Sequence, residues 1–522
     1  MKLLNTLIFT LFFAEAFCQT WSNDVASIVY DKCTKCHHQG GIGGFSLMTH
    51  AEVTPMAAAV YDAINDGHMP PWPPNNNFQT YIHNRALSST EKSTLSTWIL
   101  NGMPLGNANA IPPAPVYSSS ALFGSGDLTV QIPTYTSKAT SSHDDYACFA
   151  VPSGLLQNRV IKAVEIIPGN REIVHHALIY LDPNGVETTD SIGGNCASPS
   201  NANTKLIAGY TPGATPMLLP SIAPLKLGIN ISAGSQIYFA MHYPAGSLGQ
   251  KDSTKVIFHF YPVGTTGVRQ VMASPIIENW GFSLPPNQET TVNAQYPSSG
   301  GLTNNVSILS VFPHMHLLGK TIKSFGIKPN GDTLKLIDVP HWDFHWQDFY
   351  FFQSIQKAPI GTTIYGTGVF DNTSNNVHNP NNPPIYVTAG LNTSDEMFLV
   401  YFHYMLYQNG DENYNIEDYM NLSAEELLSN TDASVLVYPN PFEKDVAIQI
   451  KTLKAGDILS AYIYDGQGKL IKKLSDNYEL KQDGYTINWD GNTEENVLVK
   501  KGVYYVSFRI NGVESSKQLV KF

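Results

Sequence analysis

Charge is scarce in this 522-residue sequence: Asp, Glu, Lys and Arg make up 14% of it, and the formal balance is -12. Without a basic surplus there is no electrostatic footprint for nucleic acid, and an acidic chain is not drawn to anionic lipid. Beyond the N-terminus no stretch offers the ~20 uninterrupted apolar residues that cross a bilayer, so no membrane-spanning helix is expected. Long amphipathic helical patterns are few. Cysteine is rare, five residues in all. What is frequent is Asn, Ser, Thr, Gly and Pro around short alternating runs, the composition of an exported chain built mostly from strands and turns. The length exceeds what one core can serve, so about three or four domains are expected.

Residues 1–18, "MKLLNTLIFTLFFAEAFC", read as a signal peptide. One Lys precedes a short apolar run, and Ala16 and Cys18 occupy −3 and −1 of a cleavage point. Phe17 fits poorly before a lipidated Cys, which makes a lipoprotein the weaker reading. Cleavage after Cys18 leaves Cys33, Cys36, Cys148 and Cys196.

The stretch "CTKCHH" at 33–38 carries C-x-x-C-H, the attachment motif of a c-type haem. Cys33 and Cys36 would form the thioether links and His37 would ligate the iron. A zinc site would need a second Cys pair nearby, and there is none. A thioredoxin-like dithiol would need a surrounding βαβ pattern, also missing. Downstream, "NDGHMPPWPPN" offers Met69 on a proline-rich loop as the sixth ligand, with His38, His68 and Met103 as competitors. Then "LSSTEKSTLSTWILNG" predicts a helix with a Ser88–Glu91 capping box and an apolar face of Leu95, Trp98 and Ile99. This order resembles a small class I cytochrome c, which implies an all-α haem domain over 20–110. With haem on the first Cys pair, Cys148 and Cys196 remain free to form a disulfide in an oxidising compartment.

The last ~90 residues alternate apolar and polar positions between Gly, Asp and Asn turns, as in "KKGVYYVSFRINGVESSKQLVKF", with Tyr504, Val506, Phe508 and Ile510 on one face. A small β-sandwich is expected over 433–522, after a linker at 416–432. Tyr438-Pro-Asn-Pro-Phe442, Asp465 to Lys469, Trp489-Asp-Gly491, Gly502 with Tyr504, and the basic end at Lys517 and Lys521 are similar to the C-terminal sorting domain of type IX secretion substrates. That resemblance implies an Ig-like fold, a passage through the periplasm to the cell surface or medium, and the type IX machinery as partner. The plainer reading of the same strands is an accessory binding or adhesion sandwich.

Between them lie most of the histidines. "EIVHHALIYLD" holds His175 and His176, "GSQIYFAMHYPAG" holds His242, "SVFPHMHLLGK" holds His314 and His316, and "LNTSDEMFLVYFHYM" holds Met397. Residues i and i+2 of a strand share a face, so His314 and His316 can grip one metal. A thioether beside two imidazoles makes a soft mixed site suited to copper that cycles through the cuprous state. Adjacent histidines in a strand point to opposite faces, so His175 and His176 need a twist or different ring nitrogens to share an ion. Any one of these histidines alone would pass for a satisfied core residue.

As a set in this order, the residues resemble the copper type II, ascorbate-dependent monooxygenases, over about 300 residues from "HDDYACFAVP" (143–152) to "YFHYM" (401–405). The resemblance implies two successive antiparallel, jelly-roll-like β-sandwich domains, 115–265 and 266–415, facing each other across an open solvent cleft. It also implies two copper ions, one on His175, His176 and His242 that stores an electron, and one on His314, His316 and Met397 that meets O2 and substrate. The nearby "HWDFHWQDFYFF" (341–352) is expected to supply core aromatics and no ligand. Residues that anchor a peptide carboxylate in the peptide-hydroxylating members have no counterpart here, so the substrate, small molecule or peptide, stays open. The expected function is C–H hydroxylation with O2, with electrons from the fused haem, ascorbate or a redox protein. A non-hydroxylating electron-transfer or copper-handling protein is the alternative, and a carbohydrate-binding or adhesive module the third reading.

Overall fold

The computed structural model describes residues 19–522 apart from 116, 118–120, 197, 430–434, 451–455, 467, 482–484 and 511–512. The expected leader, 1–18, lies outside the described residues. Strands dominate, in several sheets, with most helices gathered near the N-terminus.

The N-terminal unit packs the helices Ala26–Lys32, Ala57–Asp66 and Ser89–Leu100 around Trp21, Val29, Leu47, Val53, Ile64, Leu95 and Trp98. The capping box forms: Ser88 Oγ accepts from Glu91 N at 3.2 Å, and Glu91 Oε2 accepts from Ser88 N at 2.7 Å. Leu95 and Trp98 are fully buried, and Trp98 meets Trp21 at 5.8 Å between ring centres. Helix Ala57–Asp66 stops where Gly67 adopts φ 79°, a conformation glycine reaches without strain. A strap then ties this unit to the middle of the chain. Asn75 N donates to Asp338 O at 2.8 Å, Tyr81 Oη to Leu336 O at 2.7 Å, and Arg85 pairs with Asp348 at 3.3 Å.

The middle of the chain forms two paired-sheet units. In the first, a sheet containing strands Leu128–Gln131, Lys255–Phe260, Arg159–Ile167 and Leu225–Ile231 faces a four-stranded antiparallel sheet. That second sheet runs Asp145–Pro152, Gln236–Tyr243, His176–Asp182, Lys205–Tyr210. Strand His176–Asp182 is buried along its whole length because both its faces are covered. Ala177, Ile179 and Leu181 enter the unit's own core, while Leu178 and Tyr180 join a second cluster with Phe312 of the next unit. The next unit pairs the sheet Met272–Glu278, Leu399–Leu406, Val306–His314, Tyr350–Ala358 with the sheet Gln288–Tyr296, Thr363–Asn372, Gly319–Ile327, Thr333–Val339. Phe312 and His314 sit on the face it turns toward the first unit. The two units therefore meet sheet to sheet, and the outward faces at that junction carry His176, His242 and His314.

Cys148 and Cys196 form a disulfide. Cys148 lies in the sheet that carries His176 and His242, and Cys196 also bridges in β fashion to Asn392, in the loop before Met397. The bond closes a span of 48 residues, and loop-closure entropy of that length is worth roughly 4 kcal/mol. Cys148→Ser with Cys196→Ser is accordingly expected to lower the denaturant midpoint markedly. A midpoint unchanged from the parent contradicts this.

The stretch 416–432, expected as a linker, instead carries a helix, Ile416–Ser429. Ile416, Met420 and Leu427 recur on one face and are buried in the first unit's core, and Ser221 N donates to Ser423 Oγ at 2.7 Å. The acidic composition hid this narrow apolar stripe. The tail follows as a three-stranded and a four-stranded sheet around Phe442, Ile448, Trp489, Val506 and Phe508.

Candidate metal centres

His176 and His242 are direct cross-strand partners in the antiparallel register, so their side chains leave the same face of the sheet. Their Nδ1 atoms lie 3.2 Å apart. His175 sits just before the strand begins and is free of its alternation. Its backbone N donates to His242 O at 3.0 Å, and its ring centre comes within 5.0 Å of that of His242. One ligand atom from each of the three lies within 4.8 Å of the others. The twist that adjacent histidines need is supplied by the strand boundary.

Asp144 fixes the chemistry of this group. His242 Nε2 donates to Asp144 Oδ2 at 2.9 Å, which leaves Nδ1 with a free lone pair. Ala245 N donates to the other carboxylate oxygen at 2.8 Å, and Tyr146 stacks on His242 at 4.4 Å. Burial pushes the Asp144 carboxyl up, but hydrogen bonds from His242 and His345 override it and hold it well below the ordinary carboxylate range. Bonds to Asp144 and Asp343 push His345 up to about 9.

The second group stands at the end of strand Val306–His314. The ring centres of His314 and His316 are 5.1 Å apart. His314 Nδ1 donates to Gln347 Oε1 at 2.6 Å, an amide turned correctly because Gln347 Nε2 donates to Phe344 O at 2.8 Å. His316 Nδ1 donates to Asp395 O at 3.0 Å. Each ring thus spends one nitrogen on the protein and keeps Nε2, and His316 Nε2 is buried with no partner at all. His175 Nδ1 is buried and unpartnered in the same way. Orphaned imidazole nitrogens cost free energy in a dry interior unless something ligates them, so both groups fit a bound metal.

Glu396 joins the pieces of this second group. Its carboxylate accepts from the backbone N of His316 at 2.9 Å, of Leu318 at 2.6 Å and of Met397 at 3.1 Å. Burial pushes Glu396 up to about 8 against the pull of those three amides. Met397, itself buried, and His314 line one cavity of about 460 Å³, with Tyr180, Phe312, Trp280 and Tyr401 in its walls.

The cleft expected to be open between the two groups is filled. Phe344 lies between His176 and His316, and His176, His242, His314 and His316 are all buried. The sequence alone marks no role for Asp144, Gln347 or Glu396, although Glu396 stands in the Asp-Glu-Met motif and Gln347 in the aromatic stretch 341–352 that precedes it.

Burial holds these imidazoles neutral. It pushes His175 and His314 down to about 3, and His316 and the buried His403 down to about 4. These folded values lie below the unfolded one, so the stability they support is present above about pH 6.5 and drains away toward pH 4 as the unfolded chain takes up protons. Each group contributes a slope of roughly 1 kcal/mol per pH unit in that interval. Denaturant midpoints of chelator-treated protein between pH 7 and pH 4.5 check this, and a midpoint flat or rising toward acid contradicts it.

In the N-terminal unit Cys33 and Cys36 are free thiols on a tight turn, with His37 N donating to Cys33 O at 3.0 Å. Burial pushes the Cys33 thiol up to about 12, the opposite of what a reactive redox dithiol needs. His37 Nδ1 is buried without a partner, and its ring lies 4.4 Å from Phe45. A half-buried imidazole with Nδ1 unpartnered, beside two neutral thiols, fits the attachment of a haem. Of the sixth-ligand candidates, Met69 is half exposed beyond Gly67, and Met103 packs against the helical core with its carbonyl accepting from His50 Nε2 at 2.8 Å. His38 stacks on Tyr117 and bonds Thr34 O at 2.8 Å, and His68 is exposed.

Comparison with known proteins covers the region of the second group and the tail. Residues 275–427, which include His314, His316 and Met397, match the family described as copper type II ascorbate-dependent monooxygenase, C-terminal domain. Residues 436–521 match the secretion system C-terminal sorting domain. The chain is 26% identical over 256 residues to a tyramine beta-hydroxylase of Caenorhabditis briggsae, covering 46% of this chain and 41% of that one. Dopamine beta-hydroxylase of Canis lupus familiaris is 22% identical over 255 residues, covering 46% and 39%. The matched part spans about two fifths of the length of these relatives. A solved structure of PorZ, a surface component of the type IX secretion system of Porphyromonas gingivalis, is similar over 17% of this chain and 11% of that one at 24% identity, with a TM-score of 0.14 that carries no argument. Residues 275–427 are therefore a copper type II ascorbate-dependent monooxygenase C-terminal domain, in a chain whose type IX sorting tail marks it for export to the cell surface or beyond.

Proposed function

We propose that this exported chain is a dicopper monooxygenase that hydroxylates a C–H bond of an organic substrate. The balanced reaction takes substrate, O2, two electrons and two protons to the alcohol and water. The observation that carries the reading is the pair of histidine groups at one sheet-to-sheet junction: His175 Nδ1 and His316 Nε2 are buried without a partner, and one ring nitrogen each of His242, His314 and His316 is tied to a protein acceptor. His175, His176 and His242 would hold one copper, and His314, His316 and Met397 the other. Copper there supplies one-electron chemistry with O2, and the thioether of Met397 favours its cuprous form. The protein's part is positional. Asp144, Gln347 and Asp395 fix the ring tautomers, Glu396 fastens His316 to Met397, and the cavity beside His314 and Met397 receives the substrate between aromatic walls.

The electrons are assigned to a haem attached at Cys33 and Cys36 and ligated by His37 and Met69, or to an ascorbate-type donor. Support for the fused route comes from the docking of the N-terminal unit. Its loop at Gly67, His68 and Pro71 to Pro74 walls a cavity of about 660 Å³ whose other side includes Phe344 and His345, next to the three-histidine group. Substrate-dependent O2 uptake with one oxygen recovered in product tests the reaction. Copper-loaded protein that consumes no O2 with any organic substrate class supports the electron-transfer or copper-handling alternative. Cys33→Ser with Cys36→Ser is expected to abolish covalent haem absorbance. A parent protein without that absorbance, or whose haem fails to reoxidise on the turnover timescale, ends the fused route.

A further inference from the structure

Phe344 belongs to neither ligand set, yet it touches both. Its ring is 4% exposed and lies 6.3 Å from that of His176 and 5.5 Å from that of His316, edge to face in each case. Tyr146, which stacks on His242, stands 6.0 Å from it on a third side. The void left between these side chains is about 10 Å³, lined by His176, His314, Phe344 and Gln347 among others, room for a single water at most, while the outer side of Phe344 walls, with His345, the cavity toward the N-terminal unit. The backbone of Phe344 is held by Gln347 Nε2, the same amide that orients His314. The large cavity beside Met397 opens elsewhere: its walls include His314 but none of His175, His176, His242 or Phe344.

We propose that Phe344 couples the two centres, holding the three-histidine group against the His314–His316 group in a dry contact, while substrate reaches His314 and Met397 from the opposite side. This rests on the dicopper reading above. With copper in both groups, one electron would leave the metal held by His175, His176 and His242, oxidising it by one unit, and would reach the metal held by His314, His316 and Met397, reducing it by one. No atom or proton travels with it. Donor and acceptor orbitals communicate better through packed side chains than across a water-filled gap, and packing density at a buried ring contact equals that of the protein interior. The edge-to-face geometry also fixes the separation, because the ring is the spacer. Phe344 is thus a positioning residue, and its role is distinct from that of any ligand.

Phe344→Ala is compared with Phe344→Tyr, which keeps the ring. In metal-free protein the alanine variant is expected to open the junction, so that diethyl pyrocarbonate modifies His176 and His316 faster than in the parent, while the tyrosine variant matches the parent. With copper bound, the metal content of all three proteins is expected to be the same. Pulsed EPR of the oxidised forms is expected to give a narrow intercopper distance distribution for parent and tyrosine variant and a broad one for alanine. Reoxidation of the three-histidine centre in a single turnover then slows several-fold in alanine alone, with the substrate KM unchanged. Equal reagent access and an unchanged distance distribution in Phe344→Ala overturn the proposal. A parent that binds no copper ends the dicopper reading instead, and the reagent-access comparison still decides whether Phe344 closes the junction.

Discussion

Replacing Glu396 with alanine is expected to empty one of the two metal centres and leave the other filled. The carboxylate accepts three backbone N–H groups, from His316, Leu318 and Met397, all in the dry interior. Removing it leaves each unsatisfied, at roughly 1–3 kcal/mol apiece, and unfastens the His316 loop from the Met397 loop. His316 and Met397 then have no shared anchor, and metal geometry tolerates displacements of only a few tenths of an ångström. The three-histidine group lies in the other paired-sheet unit and keeps its own carboxylate. Copper analysis is expected to fall from about two to about one per chain, with the surviving EPR signal that of the three-histidine site. Glu396→Gln, which retains one acceptor oxygen, should hold more of the metal than alanine does. Two coppers retained in Glu396→Ala, with an unchanged denaturant midpoint, contradict the assignment.

Asp144→Ala is expected to act on the other centre. The carboxylate fixes the His242 tautomer through a 2.9 Å bond and is itself braced by Ala245 N. Loss of such a partner behind a ligating imidazole typically weakens metal binding 10–100-fold. The same change removes one of the two carboxylates beside His345. Asp144→Asn still offers an oxygen acceptor and should fall in between. Copper affinity at the three-histidine site, measured by competition with a chelator of known strength, reads this directly. An affinity for Asp144→Ala within twofold of the parent contradicts it.

Much of this architecture is legible in the sequence because it depends on short-range rules. Alternation marks the strands, the Ser88–Glu91 box marks a helix start, and the His-x-His spacing brings two imidazoles together, although at a strand end rather than on one strand face. The residues that complete the centres are legible only in part, since what makes them matter comes from far along the chain. Asp144 meets His242 from 98 positions away, and Glu396 meets His316 from 80. A lone acid before a strand carries no mark of that partnership. The helix Ile416–Ser429 escaped for a related reason: its three buried residues are apolar only toward a core supplied by another part of the chain. The open cleft expected from the family resemblance gives way here to Phe344, one aromatic in a stretch rich in them, whose place between two histidine groups follows from the docking of two sheets. The pairing of His175 with His176 shows the converse, a local conflict removed by where one strand begins.

Copper, iron and zinc per chain, determined on protein purified from the medium without added metal, test the central claim most directly. The account predicts about two copper and one iron. Iron with little copper, and no rise when copper is supplied, would contradict it and reduce the paired histidine groups to packing.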